Sequence, residues 1–243
     1  MKLKISLRIK GFDLKNKNIG LYIAFIGIFL LLAINLFVSL YIPFSNSTEN
    51  IFNENILKVV EIKVSDDEET WGYATGCFVD NNGTILTNKH VVLNSSTNEN
   101  YQIIKARMAN EEEWISCDVI KVGNDDDIAL IKIDRKNTKY FKIKTNCQNG
   151  ETIFTIGNPN NFGLSFSSGV ISSNKKYITY EEKQTQVVQT SLVINEGNSG
   201  GPVFDKNGEL VGLISFRLKD KYGDVIQGVS FAVPSSIIKE FIK

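Results

Sequence analysis

Apolar residues follow two textures along this chain. From Gly20 to Ile42 they form one unbroken run, GLYIAFIGIFLLLAINLFVSLYI, with no Asp, Glu, Lys or Arg. At about 1.5 Å of rise per residue a helix over this run is roughly 34 Å long, enough to cross the hydrocarbon core of a bilayer. From Ile56 the texture changes to short β-branched or alternating runs broken by Gly, Asn and Asp. ILKVVEIKV, TGCFVD, TILTNKHVV, YQIIKARMA, WISCDVIKVG and IALIKID fill the first half. TIFTIGNP, SFSSGVISS, TQVVQTSLVI, GGPVFD, LVGLISFRL and VIQGVSFAV fill the second. Runs of this length and spacing predict an all-β barrel or sandwich rather than βαβ units. NNGT (81–84) and DKNGE (205–209) read as hairpin turns between them. The ending PSSIIKEFIK (234–243) predicts one short C-terminal helix, with Ile237, Ile238 and Phe241 on one face. PFSNSTENIFNEN (43–55), between the two textures, reads as a polar stalk.

Charge refines the reading of the first run. Net charge is zero, but Lys2, Lys4, Arg8, Lys10, Lys15 and Lys17 stand against Asp13 ahead of the apolar segment. The positive-inside bias then puts residues 1–19 in the cytoplasm, makes residues 20–42 a transmembrane anchor, and carries everything after Pro43 across the membrane. A cleaved signal peptide is the rival. Its apolar region is shorter and ends in small residues, whereas this run ends in SLYIPF. The body of the chain is mildly acidic, which argues against nucleic acid as a partner. Cys77, Cys117 and Cys147 show no C-x-x-C spacing, and one histidine cannot complete a zinc site, so no metal is expected. Cys117 with Cys147 could form a bridge, but three small buried apolar residues are the simpler reading.

The candidate chemistry begins with INEGNSGGPVF (194–204). A nucleophilic serine needs its Oγ at a sharp turn, with backbone N–H groups aimed at a developing oxyanion. The glycines around Ser199 allow both. A serine needs a base, and His90 in TNKHVV is the only histidine in the chain. The base needs an acid to hold its tautomer, and NDDDIALIKID offers Asp125, Asp126 and Asp127. Asp127 abuts the strand IALIKI, which would hold its carboxylate in place; Asp125 and Asp126 read as solvated turn residues. The order His90, Asp127, Ser199 differs from the Ser–acid–His order of α/β-hydrolases.

TILTNKHVV, DIALIKI, GNP…GLSFSSGVISS, QTSLVINEGNSGGPVFDKNGELVGLIS and GVSFAVPSSIIKEFI, in this order, resemble trypsin-like serine proteases of the HtrA type. The resemblance covers the chain from about Val59 onward. It implies a serine protease domain over 56–243, made of two antiparallel six-stranded β-barrels (about 56–147 and 150–233) and a terminal helix (234–243). It also implies a triad of His90, Asp127 and Ser199 in the cleft, with the N–H groups of Gly197 and Ser199 as oxyanion hole. Leu192, Val193, Ile214 and Phe216 would line an apolar substrate pocket, with Glu196 at its rim, and residues 157–169 would be the activation loop. The chemistry needs no cofactor. The expected function is endopeptidase action on unfolded polypeptides outside the cytoplasm, by a membrane-anchored homo-oligomer, a trimer by resemblance. The alternative is a non-catalytic binding or chaperone-like module on the same fold, against which the intact triad stands. HtrA proteases usually continue into PDZ domains, whereas this sequence ends with the helix, so PDZ-borne recognition is not carried over. TNKH also resembles glutamyl endopeptidases, but those use a second histidine, absent here.

Overall fold

The computed structural model describes residues 17–45, 47–180, 183–219, 222–223 and 225–243. The basic segment before Lys17 lies outside the described residues. The chain separates into two compact units, residues 1–50 and 51–243.

In the first unit, helix α1 (Lys17–Ser45) runs for 29 residues. Its side chains from Gly20 to Tyr41 are exposed all round, and the stretch Ile19–Tyr41 is long and apolar enough to span a bilayer. A helix that presents Leu, Ile and Phe on every side has no aqueous face, as the run without charge predicts.

Part of the segment read as a polar stalk is helical. Thr48–Asn55 forms a helix, α2. In the second unit its Ile51 is only 5% exposed and belongs to the main core, and the Phe52 ring meets Phe166 edge-on at 5.6 Å. The Asn-rich composition hid two adjacent apolar residues, Ile51 and Phe52, both of which pack on the main core. Lys58, in the short 3-10 turn Ile56–Lys58, reaches back to Asn55 Oδ1 (2.8 Å) and lies over the Phe141 ring.

The rest is β structure. The first sheet comprises β1 (Val59–Ser65), β2 (Gly72–Phe78), β3 (Thr84–Thr87), β4 (Ile103–Met108), β5 (Ile115–Ser116), β6 (Asp118–Val122) and β7 (Ala129–Lys132), in the order β5-β4-β1-β2-β3-β7-β6. Strands β5 and β6 end that order yet are separated only by Cys117, so the sheet curls until its edges meet. The second sheet comprises β8 (Lys142–Ile143), β9 (Thr152–Gly157), β10 (Ser165–Tyr180), β11 (Lys183–Thr190), β12 (Pro202–Asp205), β13 (Glu209–Lys219) and β14 (Val225–Pro234), in the order β12-β9-β10-β11-β14-β13-β8, with a β12–β13 pairing that closes it. A one-turn helix, α3 (Lys89–Val92), follows β3, and α4 (Ser235–Ile242) ends the chain.

The all-β, two-barrel architecture expected from the sequence is present. Each sheet counts seven strands rather than six, because two-residue strands, β5 and β8, extend the ladders. The second sheet also begins before residue 147, since β8 pairs with β13 in parallel (Glu209↔Lys142). Both expected hairpin turns form, and in each an aspartate organises the loop. Asp80 accepts from the backbone of Asn82 and Thr84 (2.8 and 3.0 Å), and Asp205 from Asn207 and Glu209 (2.9 and 3.0 Å).

The main core draws on both sheets. Leu86, Ile128 and Phe141 from the first half pack with Phe154, Phe204, Leu213 and Ile238 from the second, and the Phe141 and Phe204 rings meet at a 41° tilt with centroids 5.2 Å apart. Burying each such side chain contributes about 1.5–3 kcal/mol.

Candidate active site

Three loops converge where the sheets meet. After β3 the chain turns through the fully buried Asn88, whose side-chain Nδ2 donates to Asp127 O at 2.8 Å, and enters α3 with His90 on its first turn. Asp127 lies in the β6–β7 turn, fastened by Gly123 N–H to Ile128 O (2.8 Å) and by the fully buried Ile128. The buried run Ile128–Ala129–Leu130–Ile131 thus fixes the carboxylate just ahead of it.

His90 and Asp127 are in direct contact. Nδ1 of His90 lies 3.0 and 2.9 Å from the two carboxylate oxygens, and the His90 backbone N–H donates to Oδ1 at 3.1 Å. A carboxylate only accepts, so Nδ1 carries a ring proton, and in the neutral imidazole Nε2 keeps its lone pair. Ser215 Oγ donates to Asp127 Oδ2 at 2.5 Å. Burial alone would raise the Asp127 carboxyl; the His90 hydrogen bond and charge, with the Ser215 hydroxyl, outweigh it and hold the group below the usual carboxylate range. Burial and the charge of Asp125 push Asp126 the other way, and Asp125 pairs with Lys183 at the surface (3.0 Å). Of the three aspartates, only Asp127 faces the histidine.

Ser199 sits on the loop from Ser191 to Gly201, between β11 and β12. Its Oγ donates to Ser215 O at 3.4 Å; among the described residues it has no hydrogen bond to His90. Ser215 therefore touches both Asp127 and Ser199, a role its place in LISF did not suggest. The first sheet holds the serine loop directly. Thr75 N–H donates to Ser199 O (2.9 Å) and Thr75 Oγ1 donates to Gly197 O (2.7 Å). Gly197 has φ +91°, and a Cβ there would stand 2.1 Å from Asn158 O, so only glycine fits. The N–H groups of Gly197 and Ser199 have no acceptor among the described residues.

The four expected pocket residues do not form one wall. Leu192 and Ile214 are buried in the second sheet's core, Val193 is 56% exposed, and Phe216 lines a cavity of about 330 Å³ with His90, Asp127, Asn94 and Lys183. Glu196 is exposed (83%) and lies 4.0 Å from Arg217. Arg217 also donates to Ile194 O and Asn195 Oδ1 (3.2 and 3.0 Å), placing a cation beside the serine loop just past the LISF segment.

Residues 74–213 match the family model described as trypsin-like peptidase domain. The chain is 26% identical over 204 residues to the serine endoprotease DegS of Haemophilus influenzae, covering 82% of this chain and 57% of that protein. It is 33% identical over 171 residues to the periplasmic serine endoprotease DegP of Escherichia coli, covering 68% of this chain and 34% of that one. The chain thus spans between a third and just over half the length of these relatives. Its fold superposes on a solved HtrA-type protease with tripeptide at a TM-score of 0.70 and 23% identity, over 81% of this chain and 62% of that one.

Proposed function

Because the chain belongs to the trypsin-like peptidase family, we propose that it is a serine endopeptidase in which Ser199, His90 and Asp127 form the catalytic triad. The observation that carries this reading is the hydrogen-bonded approach of His90 Nδ1 to both Asp127 oxygens. It leaves Nε2 free to act as a base for the serine on the Gly-rich loop. Ser199 Oγ attacks the scissile carbonyl and passes its proton to Nε2. Asp127 stabilises the imidazolium, which then protonates the leaving amine. The N–H groups of Gly197 and Ser199 bind the oxyanion, and water resolves the acyl-enzyme. The long Ser199–Ser215 bond is consistent with a site that tightens on substrate binding.

The names of the relatives, which include periplasmic serine endoproteases, support polypeptide substrates outside the cytoplasm; the reading takes these to be unfolded chains, and α1 supports an anchor over residues 20–42 with the protease domain beyond the membrane. The same reading takes the protein as a homo-oligomer, a trimer by family resemblance, and the residue before the cut as small or aliphatic, against Phe216. The full chain in detergent, incubated with a denatured protein, should hydrolyse it and take up a serine-directed fluorophosphonate, and Ser199→Ala should lose both. The half-buried Ser199 hydroxyl makes one long bond, 3.4 Å to Ser215 O, so exchanging it for hydrogen should cost little stability and the variant should stay folded. Undiminished labelling of Ser199→Ala would put the nucleophile elsewhere, and light scattering at the mass of a monomer would remove the oligomer.

A further inference from the structure

A row of three polar side chains crosses the first sheet. Arg107, Glu61 and Thr75 lie directly opposite one another on β4, β1 and β2. Glu61 is 5% exposed, in a strand buried on both faces. A carboxylate there must have its lone pairs satisfied. Arg107 takes one oxygen, with Nε and Nη2 both 2.8 Å from Oε2. The other oxygen accepts from Asn158 Nδ2, also at 2.8 Å. Asn158 opens the segment 158–163 and is itself fully buried. Its backbone N–H donates to Thr75 Oγ1 (3.0 Å), and its Oδ1 accepts from Gly163 N–H (2.9 Å). The amide thus closes the 158–163 loop while the first sheet grips it twice.

The loop so held lies against the serine loop. Asn160 N–H donates to Glu196 O at 2.7 Å. The Asn158 carbonyl stands where a Cβ of residue 197 would be. Thr75 Oγ1, which accepts from Asn158, donates to Gly197 O. The peptide groups on both sides of Gly197 are therefore tied to Asn158, one through Thr75 and one through Asn160. A backbone N–H can serve an oxyanion only if its peptide plane is fixed in advance.

We propose that Asn158 is a positioning residue of the oxyanion hole: anchored by Glu61, it sets the orientation of the Gly197 peptide. This rests on the serine peptidase reading above.

The test reverses the polarity of the contact. Asn158→Asp sets a carboxylate against Glu61 while keeping the acceptor for Gly163. Adding Glu61→Gln restores a donor–acceptor pair and still offers an oxygen to Arg107. In the full chain in detergent, Asn158→Asp should lower kcat about 100-fold, the cost of one oxyanion donor, with KM changed less than threefold. The affinity for a peptide boronate, which binds as a tetrahedral adduct, should fall in parallel. The Asn158→Asp, Glu61→Gln pair should regain at least tenfold in both. Asn158→Ser, too short to reach Glu61 and Gly163 together, serves if Asn158→Asp fails to fold, and should show the same loss of kcat per folded molecule. Full kcat in either folded single variant, a loss confined to KM, or no recovery in the pair would overturn the role of Asn158 alone. A parent chain that neither hydrolyses denatured protein nor takes up fluorophosphonate would overturn the peptidase reading with it.

Discussion

Ser215 Oγ donates to Asp127 Oδ2 at 2.5 Å, on the carboxylate that also meets His90. The second sheet thereby holds the acid of a pair that belongs to the first. A hydrogen bond to a charged group is worth about 1.5–3 kcal/mol, so Ser215→Ala should lower kcat/KM by roughly 10- to 100-fold. Asp127→Asn should cost on the order of 10⁴ in kcat, because the amide favours the wrong imidazole tautomer. Asp125→Asn and Asp126→Asn should cost little; steady-state assays of the four variants check the assignment. Since the Asp127 carboxyl lies below its usual range in the folded chain, its stabilisation is full above the ordinary carboxylate pKa and fades as pH falls through the folded value. Thermal melts from pH 6 to pH 2 should show that loss in the parent and a flatter acid limb in Asp127→Asn.

Gly197→Ala combines a positive φ with a Cβ 2.1 Å from Asn158 O. It should destabilise the chain by about 1–3 kcal/mol and cut kcat by about 10²–10³, the range for loss of one oxyanion donor. Gly150 also has positive φ (+81°), but a Cβ there meets nothing within 4 Å. Gly150→Ala should cost about 1 kcal/mol, with kcat unchanged. Denaturant midpoints and kinetics on both separate strain from collision.

All three cysteines are free thiols, including Cys117 and Cys147. Burial raises each of them and pushes Cys117 up to about 12, while Cys77 is fully buried. The thiolate is the reactive form, so an aromatic disulfide reagent should react with the folded chain far more slowly than with the denatured one. Added reductant should leave the melting temperature unchanged. A drop of several degrees would reveal a bridge.

The exposed apolar surface of α1 should keep the protein in the membrane fraction through salt and carbonate washes, with residues after Pro43 open to added protease outside intact cells. A form free in the medium and beginning near Ser45 would identify a cleaved leader instead.

The residues that were legible in the sequence are those whose chemistry demands a particular type. A lone histidine, an aspartate before a buried strand and a serine among glycines can be found without knowing where they lie in space, and turn signals and β-type runs marked out the strands between them. What remained hidden rests on contacts between distant residues. Thr75 and Gly197 are 122 positions apart, Glu61 and Asn158 are 97 apart, and Asp127 and Ser215 are 88 apart. Thr, Asn and Ser occur in every loop and strand, so nothing local singles these out. Glu61 did carry one signal, a charge inside the apolar run VVEIKV. The α2 helix was hidden by composition, since Ile51 and Phe52 are the only apolar residues in TENIFNEN.

The core that joins Phe141 to Phe204 and Leu86 to Ile156 also decides how the molecule comes apart. Each barrel keeps an interior of its own, with Val60, Ile62, Ile85 and Ile131 in the first and Ile153, Val188, Val211 and Ala232 in the second, but the shared rings and aliphatic chains would be left facing water if the two parted. The two sheets are therefore one unit of melting, whatever their separate hydrogen-bond ladders suggest. In a calorimeter residues 51–243 should give a single endotherm, with van't Hoff and calorimetric enthalpies in agreement.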